Sequence, residues 1–282
     1  MILIADSGSS KTDWRLIDDK KNVHQFRTSG LNPYFLSSDL IAEKIGAELT
    51  LPVDRDDVQE IFFYGAGCSS KEMCDVVETG IQKKLPKSKI VVQHDLLAAC
   101  HALCGREEGL VAILGTGSNS CLYDGEKIID QVPSLGFILG DEGSGTHIGK
   151  KILQAVFYRE STDQLMKRFD ERFHLSREEV LEAIYKKPLP NQYLASFAHF
   201  AFQNRNEAMI SKIVYDCFIE FFDRHICKYN NYQKKKIHFT GSVGFNFADL
   251  LRRVAGEKGI QVGKITESPI AGLTLYHLNE QE

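Results

Sequence analysis

The 282-residue sequence lacks an apolar run of the length that a membrane-spanning helix needs, which argues against an integral membrane protein. It opens without the basic segment and cleavage site of a secretory signal peptide, so we expect a cytoplasmic protein. It also lacks a basic excess, because 38 acidic residues outnumber 34 basic ones and the formal net charge is −4. Nucleic-acid binders usually carry the opposite imbalance, and we expect neither a nucleic-acid nor a membrane partner.

Metal-binding patterns of cysteine are missing too. The seven cysteines are scattered singly, with no CxxC pair and no Cys/His finger spacing. This spacing argues against a zinc site or an iron–sulfur cluster. We expect buried thiols of the kind found in reducing compartments.

A chain of this length allows one large domain or two medium ones. An αβ pattern fills the first hundred residues, stops at the polar segment 105–109 and then restarts, which favours two. We predict strands at residues 2–5, 14–17, 23–26, 61–64, 90–92, 110–114, 120–123, 127–132 and 237–240. We predict helices at residues 38–49, 71–84, 95–103, 144–158, 164–169, 177–185, 193–202, 207–229, 247–254 and 270–278.

The two halves open in the same way. Residues 2–10 (ILIADSGSS) and 111–119 (VAILGTGSN) align without a gap as an apolar strand followed by a Ser/Thr-Gly-Ser turn. Each copy is followed by a second strand and by further αβ alternation, which a chance match of two short turns would not predict. Two related αβ domains that face across a cleft are the natural architecture for such a repeat.

The first turn, residues 6–13 (DSGSSKTD), connects two predicted strands. It is not a Walker loop, which has the pattern GxxxxGK[ST] and leads into a helix. A tight turn between strands nevertheless directs several backbone N–H groups at one point, where phosphate oxygens could bind. Asp6 would lie beside those phosphates, which implies Mg²⁺ to offset the repulsion, and Lys11 could add a positive charge.

Either turn taken alone could be only a hairpin, but two matched turns would hold one nucleotide from opposite sides. The predicted phosphate-binding residues are Gly8, Ser9, Ser10, Lys11 and Thr12 in the first loop and Gly115, Thr116, Gly117 and Ser118 in the second.

Further motifs follow in chain order: GLNP at 30–33, HDLLAA at 94–99, GTGSN at 115–119, GDEGSG at 140–145, GSV at 241–243 and SPIAG at 268–272. With the first loop, they resemble the actin-like ATPase superfamily of sugar kinases, actin and heat-shock chaperones. Within it, nearly the whole chain resembles the N-acetylglucosamine kinase group of the BadF/BadG/BcrA/BcrD ATPase family. The resemblance implies an α/β fold of two ribonuclease H-like domains related by duplication, facing across a nucleotide and sugar cleft. We place these domains at residues 1–107, joined by the C-terminal helix 270–282, and at residues 108–269.

By this resemblance, Asp95 is the catalytic base for a sugar hydroxyl that attacks the γ-phosphate of ATP, a role to which a carboxylate is chemically suited. The implied sugar contacts are Asn32, Asp95, Gly136, Asp141 and Glu142, and the implied adenosine contacts are Gly241 and Ser242. The resemblance implies ATP and Mg²⁺ as cofactors and a small-molecule sugar as substrate, and it leaves a homodimer open.

Several of these residues have structural alternatives. Asp95 could only cap the helix that follows it, because Asp is common at that position. Asp141 and Glu142 precede a predicted helix, where acidic residues offset the macrodipole, and Asp141 could instead hold Mg²⁺ through water. Asn32 precedes a proline and could be only a turn residue. For His94 we expect a structural or solvent role, since neighbouring strand residues point to opposite faces.

The chain departs from the family pattern where Ser7, Ser9 and Ser10 stand in a loop usually richer in glycine, and where Leu135 replaces a tryptophan. These departures leave the identity of the sugar open. Our leading hypothesis is phosphoryl transfer from Mg-ATP to an amino sugar, with the 6-OH of N-acetylglucosamine as the favoured acceptor. The rivals are an ATPase that drives a partner protein, against which the missing cluster cysteines count, and a non-catalytic sugar or nucleotide sensor.

Overall fold

The computed structural model describes residues 1–8 and 11–279. Its internal contacts divide the chain into two compact units. The first unit is Met1–Glu107 together with the C-terminal segment that starts at Pro269, and the second is Glu108–Ser268. Within the described residues, no helix combines the length and the apolar character needed to cross a membrane.

The first unit is a five-stranded mixed sheet with helices on both faces. Its strands are β1 (Ile2–Ser7), β2 (Lys11–Ile17), β3 (Val23–Ser29), β4 (Glu60–Gly65) and β5 (Lys89–His94). Its helices are α1 (Ser38–Glu48), α2 (Lys71–Gln82), α3 (Asp95–Cys104) and, from the C-terminal segment, α12 (Ile270–Asn279). The strand order is β3-β2-β1-β4-β5, and β1 is antiparallel to β2 but parallel to β4.

Strand β1 shows why both faces of this sheet are covered. Successive side chains of a strand point to opposite faces. Leu3 and Ala5 therefore pack in a cluster with residues of α1 and α2, whereas Ile2 and Ile4 pack in a second cluster with Leu273 of α12. Burial of one such Leu or Ile side chain contributes about 1.5–3 kcal/mol. The uninterrupted apolar run of β1 is typical of a strand that is buried on both sides.

The second unit contains a sheet with the same internal order. Its strands are β6 (Gly109–Leu114), β7 (Ser118–Tyr123), β8 (Ile128–Asp130), β9 (Ile237–Thr240) and β10 (Val262–Thr266). They are arranged as β10-β9-β6-β7-β8, and β6 is antiparallel to β7 but parallel to β9. Each unit thus opens with a strand that lies at the centre of its sheet, and the predicted α/β class is confirmed.

The helices of the second unit are α4 (Gly136–Leu139), α5 (Gly145–Phe157), α6 (Asp163–Phe173), α7 (Arg177–Tyr185), α8 (Pro190–Gln203), α9 (Ala208–Arg224), α10 (Ser242–Asn246) and α11 (Ala248–Glu257). Helices α5 and α8 approach closely at Gly149, where a Cβ atom would overlap the carbonyl oxygen of Leu194. This contact fixes α5, whose first residue follows directly on the GDEGSG motif's Ser144.

Parts of the secondary structure differ from the prediction. Strand β10 and the short helices α4 and α10 were not predicted, and in β10 the residues Gly263 and Lys264 interrupt the apolar pattern. The predicted helix 207–229 ends at Arg224, because the backbone of His225 departs from ideal helical angles and a short 3₁₀ turn follows. The GSV motif at 241–243 includes the first residues of α10, which begins at Ser242.

Candidate functional site

The carboxyl ends of three parallel strands meet at one edge of the first sheet. Ser7 at the end of β1 lies in register with Gly65 of β4, and Gly65 lies in register with His94 of β5. The first loop, the turn after β4 and helix α3 all leave the sheet at this edge. Ligands of open α/β sheets bind at the carboxyl ends of the strands. The fold therefore brings the first loop and Asp95 to the same edge.

The first loop is a tight turn between β1 and β2. The N–H of Gly8 donates to the carbonyl oxygen of Lys11 at 2.9 Å. Asp6, the predicted Mg²⁺ residue, lies in β1 just before the turn and is partly buried. The predicted phosphate ligands Ser9 and Ser10 lie outside the described residues.

Two hydroxyl groups brace this loop from inside. Oγ of Ser7 lies 2.8 Å from Oγ1 of Thr12 and accepts the N–H of Leu31 at 3.1 Å. Oγ1 of Thr12 donates to the carbonyl oxygen of Ser29 at 3.1 Å. Thr12 is fully buried, so its hydroxyl proton is used inside the protein and its side chain supports the loop.

The predicted phosphate-binding Lys11 is already ion-paired. Its Nζ lies 3.1 Å from Oδ2 of Asp13, and Nε of Arg27 lies 2.7 Å from Oδ1 of the same carboxylate. Burial raises the pKa of Asp13, but the hydrogen bonds from Arg27 and Lys11 outweigh it and hold the pKa below its usual value. The Lys11 side chain is 53% exposed, so a phosphate at this loop would compete with Asp13 for the ammonium group.

Asn32, predicted to contact the sugar, is buried beside the turn that follows β4. Its Oδ1 accepts the N–H of Tyr34 at 2.9 Å. This hydrogen bond closes a turn, as expected for an Asn that precedes a proline. Gly67 has a φ of 87°, and a Cβ atom there would overlap this oxygen. The amide of Asn32 is thus held by its own turn, and it packs so closely against Gly67 that only glycine fits there.

Helix α3 starts at Asp95, but the residue that caps it is His94. Nδ1 of His94 accepts the N–H of Leu97 at 3.2 Å. The alternative in which Asp95 is the cap is therefore wrong, because the cap position and its hydrogen bond belong to the preceding residue. The structural role expected for His94 is the role that it has here.

The carboxyl group of Asp95 has a raised pKa. Burial raises its pKa to about 6, against the opposing effect of the N–H groups of Leu96 and of Asp95 itself, which donate to the carboxylate. A carboxylate with a pKa near the working pH is a stronger proton acceptor than an ordinary aspartate and is still ionised at neutral pH.

In the second loop, the carboxylate of Asp141 binds the backbone. Its Oδ1 accepts the N–H of Ser118 at 3.1 Å and the hydroxyl of Ser134 at 3.3 Å. A Cβ atom on Gly117 would lie 3.0 Å from both carboxylate oxygens, so only glycine fits here without displacement. Burial raises the pKa of Asp141. Asp141 is thus part of the second loop, an arrangement that the spacing of 23 residues between Ser118 and Asp141 did not predict.

Glu142, predicted to contact the sugar, is bound instead to the end of α9. Its Oε2 lies 3.0 Å from Nε2 of His225, and its Oε1 lies 3.5 Å from Nε of Arg224. Burial raises the pKa of Glu142, but His225 and Arg224 together hold it below its usual value. Both oxygens have partners within the unit, so the geometry assigns this carboxylate a role in holding the GDEGSG motif.

A cavity of about 190 Å³ opens beside the second loop. It is lined by Gly115 and Thr116, by Gly145 of α5, by Ser242, Val243 and Asn246 of α10, by Phe247, and by Ala195, Ser196, Ala198, His199 and Phe202 of α8. The cavity brings three predicted nucleotide residues together: Gly115, Thr116 and Ser242. Gly241, just before Ser242, has a φ of 113°, and a Cβ atom there would overlap the carbonyl oxygen of Leu114.

The contribution of α8 to this cavity was missed. Its lining residues are small or apolar, with Ser196 and His199 as the polar exceptions, and they follow an ordinary amphipathic pattern. The predicted sugar residue Gly136 lies outside the cavity lining, at the exposed start of α4, with a φ of 71°.

The residues present fit a phosphate and a metal. Oγ of Ser118 is buried and has no hydrogen-bond partner anywhere in the described structure. An oxygen of a bound ligand would satisfy this hydroxyl. Within residues 1–8 and 11–279, no three His, Cys, Asp or Glu side chains are grouped as a ready metal site. Mg²⁺ in kinases usually takes one or two carboxylates and completes its shell with phosphates and water. Asp6, just before the first loop, is one carboxylate of that kind.

Known proteins resemble this chain along most of its length. The curated N-acetylmuramic acid/N-acetylglucosamine kinase of Clostridium acetobutylicum is 26% identical over 214 residues, which span 68% of this chain and 66% of the kinase. A solved Porphyromonas gingivalis protein, described as a proposed N-acetylglucosamine kinase, is 36% identical with a TM-score of 0.95, and the match covers 100% of both chains.

A more distant structure shares the fold alone. The ROK family glucokinase from Streptomyces griseus, solved with glucose and AMPPNP, has a TM-score of 0.56 at 13% identity over 100% of this chain and 99% of that one. The family model described as the BadF/BadG/BcrA/BcrD ATPase family matches residues 5–274. With that match over nearly its whole length, this chain belongs to the BadF/BadG/BcrA/BcrD ATPase family.

Proposed function

We propose that the protein is a sugar kinase that transfers the γ-phosphoryl group of ATP to an amino sugar, with the 6-OH of N-acetylglucosamine as the favoured acceptor. The observation that carries the proposal is Asp95. It is a partly buried carboxylate with a pKa raised to about 6, and it stands at the carboxyl edge of the first sheet, where the first loop also lies.

Asp95 is assigned the role of general base. A sugar hydroxyl is a weak nucleophile, and its attack on phosphorus becomes easier as a carboxylate accepts its proton. Such assistance is worth about 10²–10⁴-fold in rate. Since the working form is the carboxylate, turnover should require a pH above the pKa of this group.

The second loop and the adjoining cavity are assigned to ATP. The cavity, lined by apolar groups such as Val243 and Phe202, suits an adenine ring, and the turn Gly241–Ser242 suits the ribose side of the nucleotide. Oγ of Ser118 and the N–H groups of Thr116 and Gly117 would meet phosphate oxygens, whereas the N–H of Gly115 already donates to the carbonyl oxygen of Gly117. In the first unit, the loop around Gly8 is assigned to the same kind of ligand. Mg²⁺, when bound, would offset charge on the phosphates, and Asp6 is the residue that would hold it.

The acceptor class is supported by the relatives and by the chemistry of the sheet edge. The Clostridium acetobutylicum relative acts on N-acetylmuramic acid and N-acetylglucosamine by its name. The amide of Asn32 and the carboxylate of Asp95 are groups that commonly accept or donate hydrogen bonds to hydroxyls and acetamides. Leu135 in place of the family tryptophan bears on which N-acylated sugar binds.

An ADP-release assay with Mg-ATP and a panel of glucose, glucosamine, N-acetylglucosamine and N-acetylmuramic acid tests the proposal. We expect turnover that depends on an amino sugar, with the phosphate located on O6 by NMR. Asp95→Asn should lower kcat by about 10²–10⁴-fold and leave ATP binding intact. Asp163→Asn, which changes an exposed aspartate at the start of α6, is the matched control. Turnover without sugar would point to an ATPase, and sugar binding without turnover to a sensor.

A further inference from the structure

The first turn of α3 has polar side chains beside its spare backbone donors. The first N–H groups of a helix have no partner inside the helix and must find one elsewhere. Here the N–H of Leu97 donates to Nδ1 of His94 at 3.2 Å, and the N–H groups of Leu96 and Asp95 lower the pKa of the Asp95 carboxyl. His94 and Asp95, adjacent in the sequence, thus share the N–H groups of one helix end.

This sharing fixes the protonation state of His94. A nitrogen that accepts a hydrogen bond carries no proton, so Nδ1 is bare and the neutral ring holds its proton on Nε2. Burial lowers the pKa of His94, which favours that neutral ring. A charged ring would turn a donor toward the N–H of Leu97 and break the cap.

The backbone of His94 is held by its strand pairing in the sheet. His94 is the last residue of β5, in register with Gly65 of β4, and its φ of −81° and ψ of 155° keep it extended. The imidazole is thus attached to the sheet, while the helix that it caps carries Asp95. The side chain joins a fixed element to the turn whose N–H groups orient the carboxylate.

We propose that His94 is a positioning residue for Asp95: by holding the N–H of Leu97, it keeps the first turn of α3 formed and the carboxylate in its reactive orientation. The inference rests on the proposed role of Asp95 as base. Asp95 depends on that turn because it is the first residue of α3, directly after the cap, and the N–H of Leu96 in the same turn lowers the pKa of its carboxyl. A reacting group that loses its alignment loses rate even when it stays within reach of its substrate.

The test compares His94→Asn with His94→Leu in the full-length protein. An Asn side chain has an oxygen that can cap a helix, whereas Leu fills similar space and cannot accept a hydrogen bond. With the sugar that the wild type uses, we expect His94→Leu to lower kcat about 10-fold, a part of the ~10²–10⁴ that a general base supplies. The KM for ATP should stay within about twofold, and His94→Asn should keep kcat within about threefold of wild type.

A second measurement does not depend on turnover. The ¹³C NMR titration of the Asp95 carboxyl, assigned by its loss in Asp95→Asn, should keep its midpoint in His94→Asn. In His94→Leu it should rise, because the carboxylate loses N–H donors that favour its charged form. If the wild type turns over no sugar, the proposed function fails and this titration still decides the role of His94. An unchanged or lowered midpoint in His94→Leu, or equal kcat values for the two variants, would overturn the inference.

Discussion

Oδ1 of Asp141 lies 3.1 Å from the backbone nitrogen of Ser118, so an acidic side chain is bound directly to the second loop. This contact leaves no room for a side chain on Gly117, whose added Cβ atom would lie 3.0 Å from the carboxylate oxygens. Two motifs that are separate in the sequence, GTGSN and GDEGSG, therefore form one structural unit. Four predictions concern this structural unit and the carboxylates of Glu142 and Asp95.

Gly117→Ala should destabilise the second unit and weaken ATP binding, because the new methyl group must displace the Asp141 carboxylate or distort the loop. We expect a cost of about 1–3 kcal/mol in the free energy of unfolding, measured by chemical denaturation. Gly115→Ala is the control in the same loop, since a Cβ atom there meets nothing within 4 Å. Equal stability of the two variants would contradict the contact.

Ser118→Ala should weaken ATP binding without a loss of stability. The Ser118 hydroxyl is buried without a partner in the described part of the protein, so its removal breaks no internal hydrogen bond. A hydrogen bond to a charged phosphate oxygen is worth roughly 10-fold or more in affinity, which calorimetry with ATP would measure.

The matched variant for Ser118 lies two residues further along β7. Oγ of Ser120 is 2.9 Å from the hydroxyl of Tyr229 in the core. Ser120→Ala should lower Tm by about 2–4 °C and leave ATP affinity unchanged. If Ser118→Ala instead lowered Tm and spared affinity, the hydroxyl would have a structural partner and no role in phosphate binding.

Glu142→Gln should reduce stability at neutral pH by about 1–3 kcal/mol, because it removes the charge that His225 and Arg224 contact. Since the folded pKa of Glu142 is lowered, the stabilisation is present above its ordinary value of 4.5 and is lost as the pH falls through the folded pKa. Denaturation at pH 7 and pH 3, with Glu160→Gln as an exposed control, measures the difference. If stability is unchanged and the KM for the sugar rises, Glu142 contacts the substrate, as its motif predicted.

Asp95 should have opposite effects on activity and on stability. Because its folded pKa of about 6 lies above the ordinary 3.8, the folded protein binds this proton more tightly and gains stability as the pH falls through 6. At higher pH the buried charge costs the folded state on the order of 2–3 kcal/mol. Asp95→Asn should therefore raise Tm at pH 7.5 by about 5 °C.

That gain in Tm should shrink as the pH falls toward 4, where both side chains are neutral. The kcat of the wild type should fall over the same acidic range, with an apparent pKa near 6. Thermal unfolding and initial rates over one pH series give both curves. A Tm difference that does not depend on pH would show that burial of the charge is not its cause.

The sequence predicted those parts of the site that glycine patterns and strand ends mark. The two loops and Asp95 each follow an apolar strand, and their order along the chain was enough to place them. It could not tell which hydroxyls face a ligand: Thr12 and Ser118 were both predicted to bind phosphate, yet one is hydrogen-bonded inside the protein and the other has no partner in the described structure. That distinction depends on residues far away in the chain, such as Ser29.

The contacts that the sequence did not predict share a physical reason. Glu142 was expected at the substrate because of its motif, but its partners His225 and Arg224 come from a helix about eighty residues later. The cavity wall from α8 carries no chemical signature, since small residues line pockets and helix contacts alike. A structural role was expected for His94, but its hydrogen bond with the following helix was not, because alternation along a strand predicts only where a side chain points.

The place of α12 has a consequence for how the two units share the chain. This helix is the last element in the sequence, yet it packs against α3 of the first unit, where Gly272 lies against the backbone of Ala102. The second unit, Glu108–Ser268, is therefore inserted into the sequence of the first. The face of β1 on which Ile2 and Ile4 pack against Leu273 is complete only when a segment more than 260 residues away in the chain has docked.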